Sequence, residues 1–259
     1  MRSRDRRSEL ELLLSRFPKA RQILPERFAE IYARQYKANR SGETMAASLS
    51  QRIERWLHRQ VAADVRQAPG GPTLELGAGT LNQLPYESLS APYDVIEPFT
   101  ELYADSPHRA RVRDVYADIA EVPADRRYAR ITSVAALEHI SDLPQVLARA
   151  ALLLEPGGVF RAAIPSEGGL LWTLGWMCTT GLEFRLRHGL DYGVLMRHEH
   201  VNTAAEIEAL VGALFETVEI RAFGLGRQLS LYRFIGARNP RLDVAAAWVS
   251  RFSAGNGAA

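Results

Sequence analysis

A strand-like apolar run that ends in a glycine turn constrains the fold of this chain more than any other feature. The run is Thr73-Leu74-Glu75-Leu76-Gly77-Ala78-Gly79. Glycines at this place permit a tight turn and let the backbone approach a ligand closely. About twenty residues further on, a second apolar run, 93–96, ends in Glu97, whose carboxylate can accept hydrogen bonds from both hydroxyls of a ribose. The pattern predicts a parallel α/β sheet with an adenosine-containing ligand at the turn.

The residues after the turn distinguish two kinds of adenosine cofactor. A nicotinamide or flavin dinucleotide site needs a third glycine, so that the pyrophosphate can reach the N-terminus of the next helix. Here Thr80, Leu81 and Asn82 follow Gly79. Because the third glycine is missing and Glu75 stands inside the motif, a pyrophosphate is disfavoured. A zwitterionic methionine tail fits better, since backbone carbonyls and, indirectly, Glu75 can hold its ammonium group.

Three further motifs follow in a fixed order. Asp118-Ile119 comes just after a third apolar segment, Val134-Ala135-Ala136-Leu137-Glu138-His139 ends a fourth, and Leu154-Glu155-Pro156-Gly157-Gly158 leads into a fifth at 159–165. In this order the motifs resemble those of the class I S-adenosylmethionine-dependent methyltransferases. The resemblance is to the small-molecule type, which has a Leu-Glu-His step after the fourth strand and a Leu-x-Pro-Gly-Gly turn before the fifth. It covers residues 72–238.

The resemblance implies a fold class and a set of cofactor contacts. The fold would be α/β and Rossmann-like, with a seven-stranded, mostly parallel sheet and an antiparallel last strand. The last two strands would occupy 213–222 and 229–237. S-adenosyl-L-methionine would be the cofactor and S-adenosyl-L-homocysteine the product. Glu97 would bind the ribose, Asp118 the adenine amino group and Ile119 the adenine ring. The full set of implied cofactor contacts is Glu75, Gly77, Ala78, Gly79, Glu97, Pro98, Asp118, Ile119, Val134, Ala135 and His139.

Length and composition fit one such domain with additions at both ends. The chain has 259 residues, of which 47% are hydrophobic, enough for a real core. Residues 1–70 are predicted to form an N-terminal helical extension that acts as a lid. Residues 71–240 would form the methyltransferase domain, with an acceptor-site insertion at 166–202. Residues 241–259 would form a C-terminal helix, at 244–252, and a tail.

The N-terminal extension is basic although the whole chain is nearly neutral. Residues 1–66 carry 15 Lys and Arg against 8 Asp and Glu, whereas the chain has a net charge of +2. Apolar residues recur there at helical spacing, which predicts helices at 8–15, 28–40 and 49–61. The charge is typical of solvated helix faces, and the alternative interpretation is attraction of an anionic substrate or membrane surface. We predict that helix 28–40 folds over the cofactor cleft and excludes water.

Cysteine usage and hydropathy favour a cytoplasmic protein. Cys178 is the single cysteine, so no disulfide can form within the chain. The arginine-rich start is followed by charged residues and not by the apolar run of a signal peptide. The uncharged run 168–182 is shorter than the about 20 residues of a membrane-spanning helix. We therefore expect no transmembrane segment.

The uncharged run 168–182 has two interpretations. It contains Trp172 and Trp176 and follows the fifth strand, on the side of the sheet where substrates bind in this fold. It is either a helix that packs on the sheet or against a second copy in a homodimer, or an apolar wall of the acceptor pocket. In the second case Tyr192 belongs to the polar rim of that pocket.

The motif His198-Glu199-His200 allows three roles. A zinc site is rejected, because structural zinc sites need four ligands and no other residue has a matching spacing, so we expect no metal. A histidine beside the acceptor could act as a general base, which makes His198 and His200 the candidate catalytic residues. Alternatively, the histidines only orient their loop, while Asn202 or Thr203 caps the next helix.

The sequence disfavours two acceptor chemistries and leaves others open. Ser133-Val134-Ala135-Ala136 stands where adenine methyltransferases have Asn/Asp-Pro-Pro-Tyr/Phe, and Cys178 lacks the preceding proline of pyrimidine carbon methyltransferases. We expect no DNA partner and a small-molecule acceptor with a hydroxyl, namely a sugar, a lipid-linked intermediate or a natural product. One alternative is a catalytically inactive S-adenosylmethionine-binding partner subunit. It is favoured by Ala129, which stands where related enzymes often have an acidic residue. The other alternative is a methyltransferase that acts on protein or RNA.

Overall fold

The computed structural model describes residues 3–32, 49–65, 71–88 and 90–255. In the N-terminal extension, α1 spans Ser3–Leu14, residues 26–32 are helical (α2), and α3 spans Leu49–Val61. Helix α1 begins earlier than the sequence pattern predicted. Residues 33–40 of the predicted helix 28–40 lie outside the described residues.

A seven-stranded sheet forms the centre of the domain. Its strands are β1 (Thr73–Leu76), β2 (Tyr93–Ile96), β3 (Val115–Tyr116), β4 (Tyr128–Val134), β5 (Leu154–Pro165), β6 (Phe215–Leu225) and β7 (Leu229–Pro240). The strand order is β3-β2-β1-β4-β5-β7-β6. Strands β1 to β5 pair in parallel, and β7 runs antiparallel to both of its neighbours, β5 and β6. The predicted mostly parallel sheet with an antiparallel last strand is confirmed.

The other helices lie between and after the strands. They are α4 (Leu143–Leu153), α5 (Leu170–Trp176), a π-helix (Met177–Gly181), α6 (Leu182–His188), α7 (Gly193–Glu199), α8 (Ala204–Leu214) and α9 (Leu242–Gly255). Short 3-10 helices span Leu84–Tyr86, Thr100–Leu102, Arg109–Arg111, Ile119–Glu121 and Leu137–His139. The insertion 166–202 is therefore mainly helical.

Strand β5 shows how the sheet is covered on both faces. Ala162 and Ile164 lie in the main core, to which α4, α8 and α9 contribute. Ala163, which points to the opposite face, packs with Leu57 and Val61 of α3. Parallel strands that are buried on both faces consist largely of consecutive apolar residues. Such apolar runs are the reason that these strands could be predicted from the sequence.

Several other boundaries also differ from the predicted ones. The turn between β6 and β7 lies at 226–228, because β6 continues to Leu225, and α9 is longer than the predicted helix 244–252. The Pro-Gly-Gly segment lies within β5 as a bulge and not before it. Tyr128 of β4 pairs with Leu154, but Arg130 pairs with Val159, so the intervening residues of β5 have no partners along β4. Gly157 has a φ of 80°, which a glycine adopts without strain.

The N-terminal extension is packed into the domain. Leu14 and Phe17 are buried in the main core, and the segment after them reaches the loops at the carboxyl ends of the strands. Among the residues that the structure describes, no helix is long and apolar enough to cross a membrane.

Candidate active site

The glycine turn lies against the turn that follows β4. Gly77 and Gly79 have φ angles of 68° and 50°, in the left-handed region. A Cβ atom added to Gly77 would lie 2.4 Å from the Cβ of Ala136. Side chains larger than hydrogen therefore do not fit at residue 77, and the turn leaves its backbone accessible, as a site for a nucleoside cofactor requires.

Glu97 holds the glycine turn in place. It is buried, with 5% of its surface exposed. One carboxylate oxygen accepts a hydrogen bond from the Gly79 amide at 2.8 Å, and the other accepts one from the Phe99 amide at 3.1 Å. Since each carboxylate oxygen has a second lone pair, Glu97 can still accept hydrogen bonds from ribose hydroxyls. Pro98, the neighbouring predicted contact, is exposed.

Glu75 lies beneath the turn, not on its surface. Its side chain is 2% exposed and accepts a hydrogen bond from the Tyr93 hydroxyl at 2.9 Å. Burial raises the pKa of Glu75 to about 8, and the hydrogen bond from Tyr93 offsets this only in part. Any effect on a methionine tail would therefore be indirect, through the position of the turn, which agrees with the sequence-based expectation.

The two predicted adenine contacts differ in exposure. Asp118 is exposed, and its carboxylate accepts a hydrogen bond from the Ala120 amide at 2.7 Å, so it caps the 3-10 helix that follows. Ile119 is buried in the main core. Asp118 is thus accessible to a ligand, whereas Ile119 offers little surface to an adenine ring.

The turn after β4 leads into a short segment that carries Glu138 and His139. Ala135 has a φ of 49°, and its amide donates to the Ala163 carbonyl at 2.8 Å, so the chain leaves β4 in a fixed direction past Val134. Glu138 and His139 follow on the next 3-10 helix. Nε2 of His139 lies 3.7 Å from a carboxylate oxygen of Glu138. The Leu-Glu-His step of the sequence is therefore the element that brings these groups together.

His200 joins this turn from the insertion. Its ring lies 4.9 Å from the ring of His139. Its Nδ1 lies 2.7 Å from a carboxylate oxygen of Glu167, and the same oxygen accepts a hydrogen bond from Nε1 of Trp172 at 2.7 Å. Burial alone would lower the pKa of His200, but the hydrogen bond to Glu167 and the charges of Glu138, Glu167 and Glu199 outweigh burial and raise it.

Hydrogen bonds fix the two loops relative to each other. The amides of Val201 and Asn202 donate to the Glu138 carbonyl at 2.9 and 3.1 Å. The Asn202 side chain donates to the carbonyls of Leu137 and Ile140 at 2.9 and 2.7 Å. Asn202 therefore does not cap α8. That role belongs to Thr203, which forms a capping box with Glu206 and so confirms one of the two alternatives for the start of this helix.

The other predicted residues of the acceptor side form a separate group. His198 bonds through Nδ1 to the Gln22 carbonyl at 2.6 Å, and its ring contacts Tyr32 of α2. The ring of Trp176 lies 5.9 Å from that of Tyr192. Trp172, in contrast, contacts both His200 and Tyr232. Of the predicted residues, the structure thus brings Trp172, His139 and His200 together and places His198, Trp176 and Tyr192 elsewhere in the insertion.

Three residues of the site were missed in the sequence. Glu167 follows β5 directly, and its position at the carboxyl end of a parallel strand was the available signal. Glu138 lies inside the Leu-Glu-His motif, of which only the neighbouring His139 was predicted to be a site residue. Tyr232 lies on β7 opposite Pro165, so its position depends on the antiparallel pairing, which single-sequence patterns do not predict.

Comparison with known proteins agrees with this fold. The model of a family described as a methyltransferase domain matches residues 45–210. No curated protein matches the chain. Similar solved structures include the plantazolicin methyltransferase BpumL in complex with S-adenosylhomocysteine, with a TM-score of 0.55, 14% identity, and coverage of 91% of this chain and 98% of that chain. An O-methyltransferase family protein from Burkholderia thailandensis has a TM-score of 0.52 and 15% identity, and the match covers 91% of this chain and 68% of that chain. A possible exported protein from Bordetella parapertussis has a TM-score of 0.53 and 17% identity, and the match covers 90% of this chain and 79% of that chain.

The fold and the glycine turn define a Rossmann-like methyltransferase that uses S-adenosylmethionine as its methyl donor. Because the family model matches more than half of its length, the chain belongs to the methyltransferase domain family. The predicted enzyme class and cofactor are thereby confirmed. The residue-by-residue cofactor contacts remain predictions.

Proposed function

We propose that this methyltransferase acts on a hydroxyl group of a small molecule bound at the carboxyl ends of β4 and β5. The observation that carries the proposal is the cluster of Glu138, His139 and His200, which starts two residues after Ala136 at the glycine turn. A hydroxyl is a poor nucleophile until its proton is removed. Imidazole and carboxylate groups beside the acceptor favour that removal, and an acceptor that needs no deprotonation would not require them.

The cofactor would be held at the turn between β1 and β2. S-adenosylmethionine, when bound, supplies a methyl group activated by a positively charged sulfur. Glu97 would bind the ribose hydroxyls, and the backbone of Gly77 and Gly79 would lie against the ligand. Asp118 would accept a hydrogen bond from the adenine amino group, and Ala135 would contact the ligand from the end of β4. The buried position of Glu97 supports this assignment, because hydrogen bonds to a carboxylate are strong where water is excluded.

The acceptor would be held by the insertion 166–202. Trp172 is suited to form an apolar wall, since it packs edge-on against Tyr232 at a ring distance of 5.2 Å and is oriented by its bond to Glu167. Tyr232 is not suited to act as a base near neutral pH, because burial raises its pKa to about 12 and keeps its hydroxyl protonated. We further propose that residues 1–70 cover the cleft, that residues 71–240 form the catalytic domain, and that residues 241–259 only support its core.

The test is turnover of the purified full-length chain with a panel of hydroxyl-bearing sugars, lipid-linked intermediates and natural products, read out as S-adenosylhomocysteine release. The variant His200→Ala should lower turnover about 10²–10⁴-fold while the affinity for S-adenosylhomocysteine is retained. The matched control is His108→Ala, a histidine in the turn before the 3-10 helix Arg109–Arg111, which should keep full turnover.

Three outcomes would contradict the proposal. If His200→Ala turns over as fast as the wild type, the cluster does not assist the reaction and alignment alone is sufficient. If the chain binds S-adenosylhomocysteine but methylates none of the small molecules, protein or RNA offered, it is a cofactor-binding partner subunit. Methylation of an amine or carbon in preference to every hydroxyl would also exclude the proposed acceptor class.

A further inference from the structure

Three side chains from two loops converge in a way that a general base would not need. Glu138, His139 and His200 each offer one possible ligand atom, and these atoms lie within 4.8 Å of one another. Two ligand atoms that bind one ion at about 2.1 Å lie roughly 3–4 Å apart. Small rotations of the three side chains would therefore bring the atoms into coordination distance, because the loops that carry them are already joined by hydrogen bonds.

Both histidines use Nδ1 for a supporting hydrogen bond. Nδ1 of His139 lies 2.9 Å from the backbone carbonyl of Glu199, and Nδ1 of His200 lies 2.7 Å from the Glu167 carboxylate. These acceptors favour a proton on Nδ1, which leaves Nε2 of each ring unprotonated. Histidines that bind metals almost always donate the other ring N–H to a carboxylate or a carbonyl in this manner.

Glu138 supplies a buried oxygen without a partner. The residue is 2% exposed, and its Oε2 has no hydrogen bond to any residue that the structure describes. A buried carboxylate oxygen that stays unpaired is costly. The local charge adds to this cost, because carboxylate oxygens of Glu138 and Glu199 lie 3.7 and 3.8 Å from His139 and one of Glu167 lies 2.7 Å from His200. A bound cation would pair with the free oxygen of Glu138 and would also offset the surrounding negative charge.

We propose that Glu138, His139 and His200 bind one divalent transition-metal ion, which in turn holds the acceptor. Two imidazoles and one carboxylate with open positions are the ligand set of mononuclear sites for ions such as Fe²⁺, Zn²⁺ and Mn²⁺, whereas Mg²⁺ prefers oxygen ligands. In the sequence, only His198 and His200 have a spacing that suggests metal ligands. Glu138 and His139 come close to His200 only in the folded chain.

The site deepens the proposed function and rests on it for its role. An ion at this place would coordinate a hydroxyl of the acceptor and lower the pKa of that hydroxyl, so that its proton is released to water more readily. The open positions favour an acceptor with two neighbouring oxygen atoms, such as a hydroxyl beside a second hydroxyl or a carbonyl. Glu167 and Trp172 would act as positioning residues, since they orient His200 and do not reach the ion themselves.

The experiment measures ion binding without turnover. The full-length chain is stripped with a chelator and titrated with Zn²⁺, Co²⁺, Mn²⁺ and Mg²⁺ by calorimetry, and Co²⁺ is also followed by its visible absorption. We expect one equivalent of Zn²⁺ or Co²⁺ to bind much more tightly than Mg²⁺. Glu167→Gln should weaken binding about 10–100-fold, as loss of a supporting carboxylate does, and His200→Ala or Glu138→Gln should weaken it further. His198→Ala, two residues earlier at the end of α7, should bind as the wild type does.

Binding of S-adenosylhomocysteine to each variant reports separately on the fold and on the proposed function. If the wild type binds S-adenosylhomocysteine but none of the four ions, the metal proposal is wrong, and His200 acts directly as the base. The same conclusion follows if His200→Ala and Glu138→Gln bind ions as tightly as the wild type. If ions bind at the three residues but S-adenosylhomocysteine does not bind, the proposed function fails and the metal site stands.

Discussion

The Glu97 carboxylate accepts a hydrogen bond from the Gly79 amide at 2.8 Å, which ties the end of β2 to the turn that follows β1. Through this bond Glu97 orders the glycine turn from within the protein. Its second role, as the acceptor for the ribose hydroxyls, is a prediction from the family resemblance. Mutation of Glu97 therefore tests cofactor binding and, through a melting curve, the order of the turn.

We expect Glu97→Ala to weaken the binding of S-adenosylhomocysteine by about 1.5–3 kcal/mol, because hydrogen bonds to a charged group contribute that much. Asp118→Ala should cost less, since one adenine contact is involved. Calorimetry on the two variants measures both losses, and NAD and FAD should give no heat with the wild type. The control is Glu101→Ala, an exposed carboxylate near the same turn. Unchanged affinity in Glu97→Ala would exclude the ribose assignment.

The two glycines of the turn should respond differently to alanine. Gly77→Ala places a methyl group 2.4 Å from the Cβ of Ala136 and also strains a φ of 68°. Gly79→Ala strains a φ of 50° but meets no atom within 4 Å. The backbone strain costs about 1–2 kcal/mol in each case. Thermal melting should therefore show a larger loss of Tm for Gly77→Ala, and the opposite order would contradict the close packing of the two turns.

The sheet could be predicted because its signals are local. Strands β1 and β2 are short apolar runs that end at a glycine or an acid, and such runs mark buried parallel strands whatever their neighbours are. Thr203 and Glu206, three residues apart before an apolar run, mark the start of α8 in the same way. These features depend on residues that are close in sequence, and the structure confirms them.

The acceptor side could not be predicted to the same extent, because its contacts are distant in sequence. Glu167 and His200 are separated by three helices and a π-helix, and their contact depends on how those helices pack. His198 and His200 are both histidines and lie two positions apart, yet His200 alone of the two contacts the ring of His139. What separates them is the end of α7 at Glu199, which turns the backbone between the two side chains.

The pH dependence of stability should report on Glu75. Its pKa is about 8 in the folded protein, against 4.5 for an unperturbed glutamate, because burial disfavours the charged form. Between these values the folded protein binds a proton that the unfolded chain has released, so stability is greatest at the acidic end and falls as the pH rises towards 8. The loss is on the order of a few kcal/mol.

Glu75→Gln should remove this pH dependence. A glutamine is neutral at every pH and can still accept the hydrogen bond from the Tyr93 hydroxyl. Chemical denaturation of the wild type and the variant at pH 5 and pH 8 should show similar free energies of unfolding at pH 5 and a more stable variant at pH 8. Parallel pH profiles for the two proteins would mean that Glu75 titrates alike in the folded and unfolded states.

Arg21 is expected to control turnover from outside the cleft. It lies between α1 and α2, and its guanidinium donates to the carbonyls of His139 at 2.8 Å and His198 at 3.3 Å, so it bridges the turn after β4 and the end of α7, just before His200. Because a shift of about 1 Å in a catalytic group can cost 10²-fold, Arg21→Ala should lower turnover roughly 10–100-fold. The affinity for S-adenosylhomocysteine should change little, since neither bond reaches the glycine turn.

Arg16→Ala, which removes an exposed arginine 3.7 Å from Glu206, is the control and should keep full turnover. Equal turnover of the two variants would show that the N-terminal segment packs on these loops without positioning them.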